Sequence, residues 1–219
     1  MKILSIYLPG FHEDDVNNEA WGKGFTEWDN VRSGKPLFDN HYQPLVPLNN
    51  NYYDLSDSKV LESQSLLAKK YGVDGFIFYH YWFGNGNMAL EKPISLYKDN
   101  PNRIEYAICW ANHSWIKNWH DGDSKVIRKQ IYGSEEEWLS HIEYLYEFFK
   151  DEKYIKIDNR PVLYIYNLSD IKDADKMINY WNKWLNAKGM SNVYIVEYIS
   201  SRNKKAHLIS DSVVEFEPL

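Results

Sequence analysis

Short apolar runs alternate along this chain with stretches whose apolar residues recur every three or four positions. Ile3–Leu8 runs into Pro9, Phe76–Phe78 into Tyr79, His80, Tyr81 and Trp82, and Ile104–Cys109 into Trp110 and Asn112. Val162–Ile165 ends at Tyr166 and Asn167, and Val193–Val196 ends at Glu197 and Tyr198. Runs bounded in this way predict β-strands over about residues 3–8, 75–80, 104–109, 161–166, 193–197 and 212–216. Between them lie helical patterns. One runs to about Tyr71, with Asp54 or Ser56 as its cap, Val60, Leu61, Gln64, Leu67 and Ala68 near one face, and Gly72 at its end. A second covers Ser134–Lys150 with Trp138, Ile142, Leu145 and Phe149 as its stripe, and Ser134 with Glu137 predicts a capping box. A third spans about 173–188, and brief helices are expected near 94–98, after Pro93, and near 203–208.

Strand followed by helix, repeated, predicts an α/β fold with a parallel sheet. A TIM-type (β/α)8 barrel and a doubly wound sheet compete for this pattern. Pro9-Gly10-Phe11 after the first strand replaces the Gly-x-Gly-x-x-Gly of dinucleotide folds, which favours the barrel. A full barrel needs about 250 residues. With six strands in 219 residues, the expectation is one domain over 1–219 comprising the first six β/α units, C-terminally incomplete. Connections after the first and third strands (9–51 and 111–133) are long and rich in tryptophan, and loops of such length are usually functional.

Composition narrows the chemistry. The formal charge of -6 and the absence of a basic stripe argue against nucleic acid. Aromatics make up 16% of the chain, and six of the nine tryptophans precede residue 120, which places them unevenly. Cys109 is the lone cysteine, so no intrachain disulfide forms, and its apolar neighbours predict a buried thiol. Neither a cysteine cluster nor an HExxH spacing suggests a metal, and no cofactor is implied. Asp121-Gly122-Asp123 has Asp-x-Asp spacing but reads as a turn. Met1–Leu8 reads as a first strand and not a signal peptide, and no run is long enough to span a membrane, so a cytoplasmic location is expected.

In a parallel barrel the C-terminal strand ends share one rim, where binding groups converge. Tryptophan and tyrosine faces, amides, a histidine and carboxylates at that rim suit a neutral, hydroxyl-rich ligand. Candidate sugar-binding residues are Tyr7, His12, Glu27, Trp28, His80, Trp82, Trp110, Asn112, Trp119, Asp121, Tyr166, Glu197 and Glu217. Each has a plainer alternative: strand-end packing for Tyr7, loop capping for His12, loop anchoring for Glu27 and loop packing for Trp28. Trp21 reads as loop packing. His80 and Trp82 share one face of their strand and Tyr79 and Tyr81 the other, so one pair points toward the barrel axis and the other into the helix layer. Trp110 and Asn112 repeat the spacing after strand three, and Asn112 both donates and accepts, making them the best binding pair after strand two. Glu215 is expected to make a structural bond while Glu217 reaches the rim, and the Glu135–Glu137 run reads as a helix N-terminal turn.

These residues carry a family resemblance. Tyr7-Leu8-Pro9, Trp21-Gly22-Lys23-Gly24-Phe25-Thr26-Glu27-Trp28, His41-Tyr42-Gln43-Pro44, Tyr71-Gly72-Val73-Asp74-Gly75-Phe76, Tyr79-His80-Tyr81-Trp82-Phe83 and Cys109-Trp110-Ala111-Asn112 resemble the WbsX-type family of bacterial polysaccharide loci. That family is related to the family 99 endo-α-mannosidase glycoside hydrolases. The resemblance covers essentially the whole chain. It implies a TIM-type barrel acting on an α-linked glycan by hydrolysis, or alternatively a glycosyltransferase of O-antigen or capsular polysaccharide biosynthesis. A third reading is a non-catalytic glycan-binding module. The hydrolase relatives carry their decisive carboxylates in an Asn-Glu-Trp-x-Glu-like segment near strand eight, so the catalytic pair is expected beyond Leu219.

Overall fold

A computed structural model describes residues 1–117, 125–199 and 206–215. Six parallel strands form the frame: β1 (Leu4–Tyr7), β2 (Gly75–Gly84), β4 (Glu105–Trp110), β8 (Arg160–Ile165), β9 (Tyr194–Ile199) and β10 (Ser212–Glu215), adjacent in that order. Sequential strands are neighbours throughout, and each pair is parallel. The sheet is an open half-barrel flanked by helices, as the β/α repeat predicts. Short antiparallel strands decorate it: β3 (Asn87–Ala89) folds back on β2, β7 (Lys156–Ile157) pairs with β8, and β5 (Trp115–Lys117) pairs with β6 (Lys125–Arg128) as a separate hairpin.

The helices are α1 (Asp15–Trp21), α2 (Glu27–Arg32), α3 (Ser58–Lys70), α4 (Lys92–Lys98), α5 (Glu135–Phe149) and α6 (Ala174–Ala187). Two were not foreseen. The stretch 9–51 holds α1, capped by the Asp14 carboxylate on the Val16 N–H, and α2, opened by a capping box between Thr26 and Asp29. Helix α3 takes its cap from Asp57, just after the expected Asp54 or Ser56. Asp57 caps it by accepting from the Lys59 N–H at 2.9 Å, while Asp54 closes the preceding turn onto the Ser56 N–H. Pro93 sits in the first turn of α4, where its missing N–H costs nothing. The short helix expected near 203–208 begins outside the described residues, and His207 and Leu208 are not helical.

Ser134 and Glu137 do not form the expected capping box. Glu137 has a better use. Its carboxylate accepts from Trp82 Nε1 and from the Asn85 N–H, both at 2.6 Å, pinning the start of α5 to the far end of β2. Between sheet and helices lies a core in which indole N–H groups are each satisfied. Trp110 donates to the Trp82 carbonyl at 3.0 Å, Trp138 to Tyr132 and Trp181 to Trp138, both at 2.9 Å. Burying such rings is favourable only when their polar tips are paired. Cys109, within β4, is buried and forms no disulfide; its burial pushes the thiol's pKa up, with a hydrogen bond to Tyr198 opposing the shift.

His80 and His141 lie in this layer with Nε2 atoms 3.1 Å apart. His80 stacks on Tyr144 and His141 on Trp82. Such a bond needs one imidazole to donate and the other to accept, and it is burial that keeps both rings neutral. Burial lowers both pKa values, that of His80 to about 3, and His80 adds to the shift on His141. Folded-state values below the unfolded value mean that this contribution to stability is complete above the unfolded histidine range. It is lost as pH falls toward the folded values. Urea unfolding followed across that acid window is expected to show falling stability, with a shallower pH slope in His141→Gln. An unchanged slope in the variant would place the acid sensitivity elsewhere.

Candidate functional site

Strand register decides which residues face the concave side. Tyr7, Phe78 and Ile108 align across β1, β2 and β4, as do Tyr79, Cys109 and Tyr164 across β2, β4 and β8. Successive side chains alternate faces. The Tyr7–Phe78–Ile108 row packs on the helices, so Tyr79, Tyr81, Cys109, Ala111, Tyr166 and Tyr198 belong to the inner face. Ring contacts agree: Tyr79 lies 6.5 Å from Tyr166, and Tyr166 lies 5.7 Å from Tyr198.

This alternation corrects several expectations. His80 and Trp82 point into the helix layer, against His141 and Tyr144 of α5. Trp110 follows them, 1% exposed and packed on His141 and Trp181. Tyr7 also lies on the helix side, where its hydroxyl donates to the Gln64 side chain of α3. Glu197, fully buried, aligns with Ile165 on the same side and accepts from the His207 N–H at 2.7 Å.

Asn112 is fully buried, and its amide is committed to the fold. Oδ1 accepts from the Asn167 N–H at 2.8 Å, while Nδ2 donates to the Asn167 carbonyl at 2.7 Å and to the Tyr132 hydroxyl at 3.2 Å. Tyr132 in turn donates to the Asn112 carbonyl at 3.0 Å. Asn112 is therefore a strap joining the ends of β4 and β8. Trp28 is 8% exposed, gives its indole N–H to the Tyr53 carbonyl at 2.7 Å and packs on Phe11, Tyr52 and Tyr53. It anchors the first loop. His12 is buried behind that loop with Nδ1 unpartnered, and burial lowers its pKa. Trp119, Asp121 and Glu217 lie outside the described residues, as does the whole Asp121-Gly122-Asp123 stretch.

The residues that do converge form a cleft of about 340 Å³ at the C-terminal strand ends. Its walls are Leu8, Asn17, Trp21, Glu27, Tyr81, Leu90, His113, Ser114, Trp115, Ile116 and Ile127. Of the expected site residues Glu27 lines it, and Tyr166 adjoins it through a 5.6 Å contact with His113. Trp21, read as loop packing, is a wall, whereas Trp28 took the packing role. Tyr81 and Trp115 meet edge to face at 4.9 Å. Burial, with Tyr79, Cys109 and Glu27 nearby, raises the Tyr81 pKa, so its phenol is neutral and able to donate. His113 is held below the ordinary histidine value by burial, with Asp170 opposing the shift.

Glu27 is placed by backbone. Its N–H donates to the Gly10 carbonyl at 3.1 Å, and a Cβ on Gly10 would lie 2.6 Å from Glu27 Cγ. Asn30 Nδ2 donates to Glu27 Oε2 at 2.9 Å, and Oε1 takes no hydrogen bond from the described residues. Apolar ring faces beside a carboxylate, a phenol and an imidazole can grip a molecule with C–H faces and hydroxyl edges. Among the described residues no cluster of three metal-ligating side chains occurs, and no helix is long and apolar enough to cross a membrane.

An open (β/α) half-barrel with its cleft at the strand C-termini is the architecture in which TIM-type folds place their sites. The chain belongs to the family described as Glycosyltransferase WbsX, whose model matches residues 3–219. The uncharacterized protein WxcX of two Xanthomonas campestris pv. campestris strains, B100 and ATCC 33913, is 32% identical over 99% of this chain. The chain spans 31% of the length of those relatives. Among solved structures, a glycoside hydrolase-like protein overlays with a TM-score of 0.52 at 13% identity, covering 75% of this chain and 51% of that one. The GH99 endo-alpha-mannosidase from Bacteroides thetaiotaomicron gives 0.42 at 11% identity, covering 90% and 70%. These overlays concern the fold.

Two substitutions separate fold from site. Asn112→Ala strands the Asn167 peptide, and losing such buried partners costs about 1–3 kcal/mol. A lower urea midpoint with little change in cleft binding is expected, whereas lost binding at undiminished stability would return Asn112 to the site. Gly10→Ala should push Glu27 aside, with saccharide affinity falling further than in Glu27→Gln, measured by tryptophan fluorescence. Equal affinities for Gly10→Ala and the parent chain would refute that placement.

Proposed function

We propose that the chain is the sugar-binding portion of an enzyme that transfers glycosyl units during assembly of an α-linked surface polysaccharide. The observation that carries this is the cleft itself: one carboxylate, Glu27, set among Trp21, Tyr81, Trp115 and His113 at the strand ends. Indole faces accept the C–H side of a pyranose while Glu27, Tyr81 and His113 meet its hydroxyls. Glu27 Oε1 accepts from an acceptor hydroxyl and orients its oxygen toward the anomeric carbon. As that oxygen attacks the anomeric carbon of a nucleotide-sugar donor, Glu27 takes its proton, the bond from that carbon to the diphosphate oxygen breaks, and the nucleoside diphosphate leaves with the bonding pair. The family's description as a glycosyltransferase supports transfer.

Two-carboxylate hydrolysis is the competing chemistry. It requires a second acid opposite the first, and Glu27 is the single carboxylate among the residues lining the cleft. Water in place of the acceptor hydroxyl would make the same site hydrolytic once a second acid is supplied, and a cleft that only binds would do neither. Incubating the chain with nucleotide sugars plus acceptor, and in parallel with α-linked oligosaccharides, separates transfer, hydrolysis and binding alone.

Binding is read by quenching of tryptophan fluorescence. Trp21→Ala is expected to weaken saccharide binding by about tenfold, the equivalent of about 1.4 kcal/mol. Glu27→Gln should lower turnover more than affinity. Saccharide affinity indifferent to both substitutions overturns the assignment of this cleft.

A further inference from the structure

Beside the cleft, the β5–β6 hairpin and the end of α1 enclose a second, smaller pocket of about 140 Å³. It is lined by Glu19, Ala20, Lys117, Lys125, Val126, Ile127 and Arg128. The two cavities are contiguous in structure: Ile127 lines both, and Trp21 and Ile116 of the cleft are the chain neighbours of Ala20 and Lys117. The chain as a whole is acidic, with a formal charge of -6, yet this pocket carries three cations and one carboxylate.

The cations are not equivalent. Arg128 pairs with Glu19 and gives a further N–H to the Ile127 carbonyl. Lys117 gives one N–H to the Ala20 carbonyl at 2.8 Å and lies 4.7 Å over the Trp21 ring, leaving donors to spare. Among the described residues no carboxylate pairs with Lys117 or Lys125. The register sets these two lysines directly opposite each other across the hairpin. Like charges in that relation are destabilising, and a bound anion between them removes the penalty. The cation–π contact to Trp21 further ties this charge to the wall of the sugar cleft.

We propose that this pocket binds an acidic group, carboxylate or phosphate, of the saccharide whose ring occupies the neighbouring cleft. The proposal rests on the glycan reading of that cleft and makes its ligand an acidic sugar or a sugar phosphate. At less than half the cleft's volume, the pocket suits a charged substituent. Lys125 and Lys117 supply the charge, and the paired Arg128 holds the hairpin against α1.

The test compares digalacturonate with its carboxyl-reduced disaccharide, and with a nucleoside diphosphate sugar, by titration of the full chain. Inorganic phosphate is titrated separately while lysine side-chain signals are followed by NMR. Digalacturonate is expected to bind about tenfold tighter than the neutral disaccharide. Raising ionic strength to about 1 M, where the screening length falls to about 3 Å, should erase that preference. Lys125→Glu, an exposed substitution checked for folding by circular dichroism, should abolish it while leaving the neutral disaccharide unaffected. A stronger preference for the nucleoside diphosphate sugar would identify the anion as phosphate. Equal affinities for acidic and neutral disaccharides, with the nucleoside diphosphate sugar no tighter, or a preference that survives Lys125→Glu, would overturn the proposal while the glycan reading stands. If no saccharide binds but phosphate shifts the Lys117 and Lys125 signals, the pocket is upheld and the glycan reading fails. Silence from phosphate and saccharides alike sinks both.

Discussion

The pleat of β2 governs the rest of this structure. Ten residues from Gly75 to Gly84 form one continuous strand between β1 and β4, and nine of them are buried. Alternation leaves no freedom in what each side chain meets. Phe76, Phe78, His80 and Trp82 become the floor on which α3, α4 and α5 pack, while Tyr79 and Tyr81 are delivered to the concave face. Moving the register by one residue would exchange these sets and bury Tyr79 and Tyr81 among the helices.

The helix-side half of that strand is an aromatic and imidazole layer whose indole and imidazole groups are tied to neighbouring protein groups, while the Tyr144 hydroxyl is buried without a partner among the described residues. Trp82 spends its N–H on Glu137, His80 and His141 share one hydrogen bond between their Nε2 atoms, and Trp110 bonds to the Trp82 carbonyl. These groups were attractive as sugar contacts because their chemistry is right. Their work is to make a rigid back wall, and rigidity there fixes the positions of Tyr81 and the β4 end in front of it. A binding site is more exact when its walls rest on ordered elements.

Much of the frame was legible in the residues. The six parallel strands and the three long helices followed from apolar runs, caps and turn signals. Facing was not legible in β2, because a strand buried on both sides shows no hydrophobic–polar alternation to read. His80 and Tyr81 carry equal claims on paper. Helices α1 and α2, with seven and six residues, were too short to register as periodic. Their caps were visible all the same: Asp14 stands before one, and Thr26-x-x-Asp29 opens the other. Those two helices carry Trp21 and Glu27 into the cleft, so the missed elements and the missed wall have one cause. Trp28, at the heart of the same motif, packs the loop that holds Glu27 in place.

Asn112 shows how narrow a structural requirement can be. Its side chain ends in the same N–H and C=O pair as a peptide, and it meets the Asn167 peptide as a neighbouring strand would. The ladder between β4 and β8 is thus extended by one rung made from a side chain. Aspartate has the right length but offers no donor to the Asn167 carbonyl, and glutamine has the right groups at the wrong reach. Of the twenty side chains, one spells this rung, and its identity is dictated by the backbone it imitates.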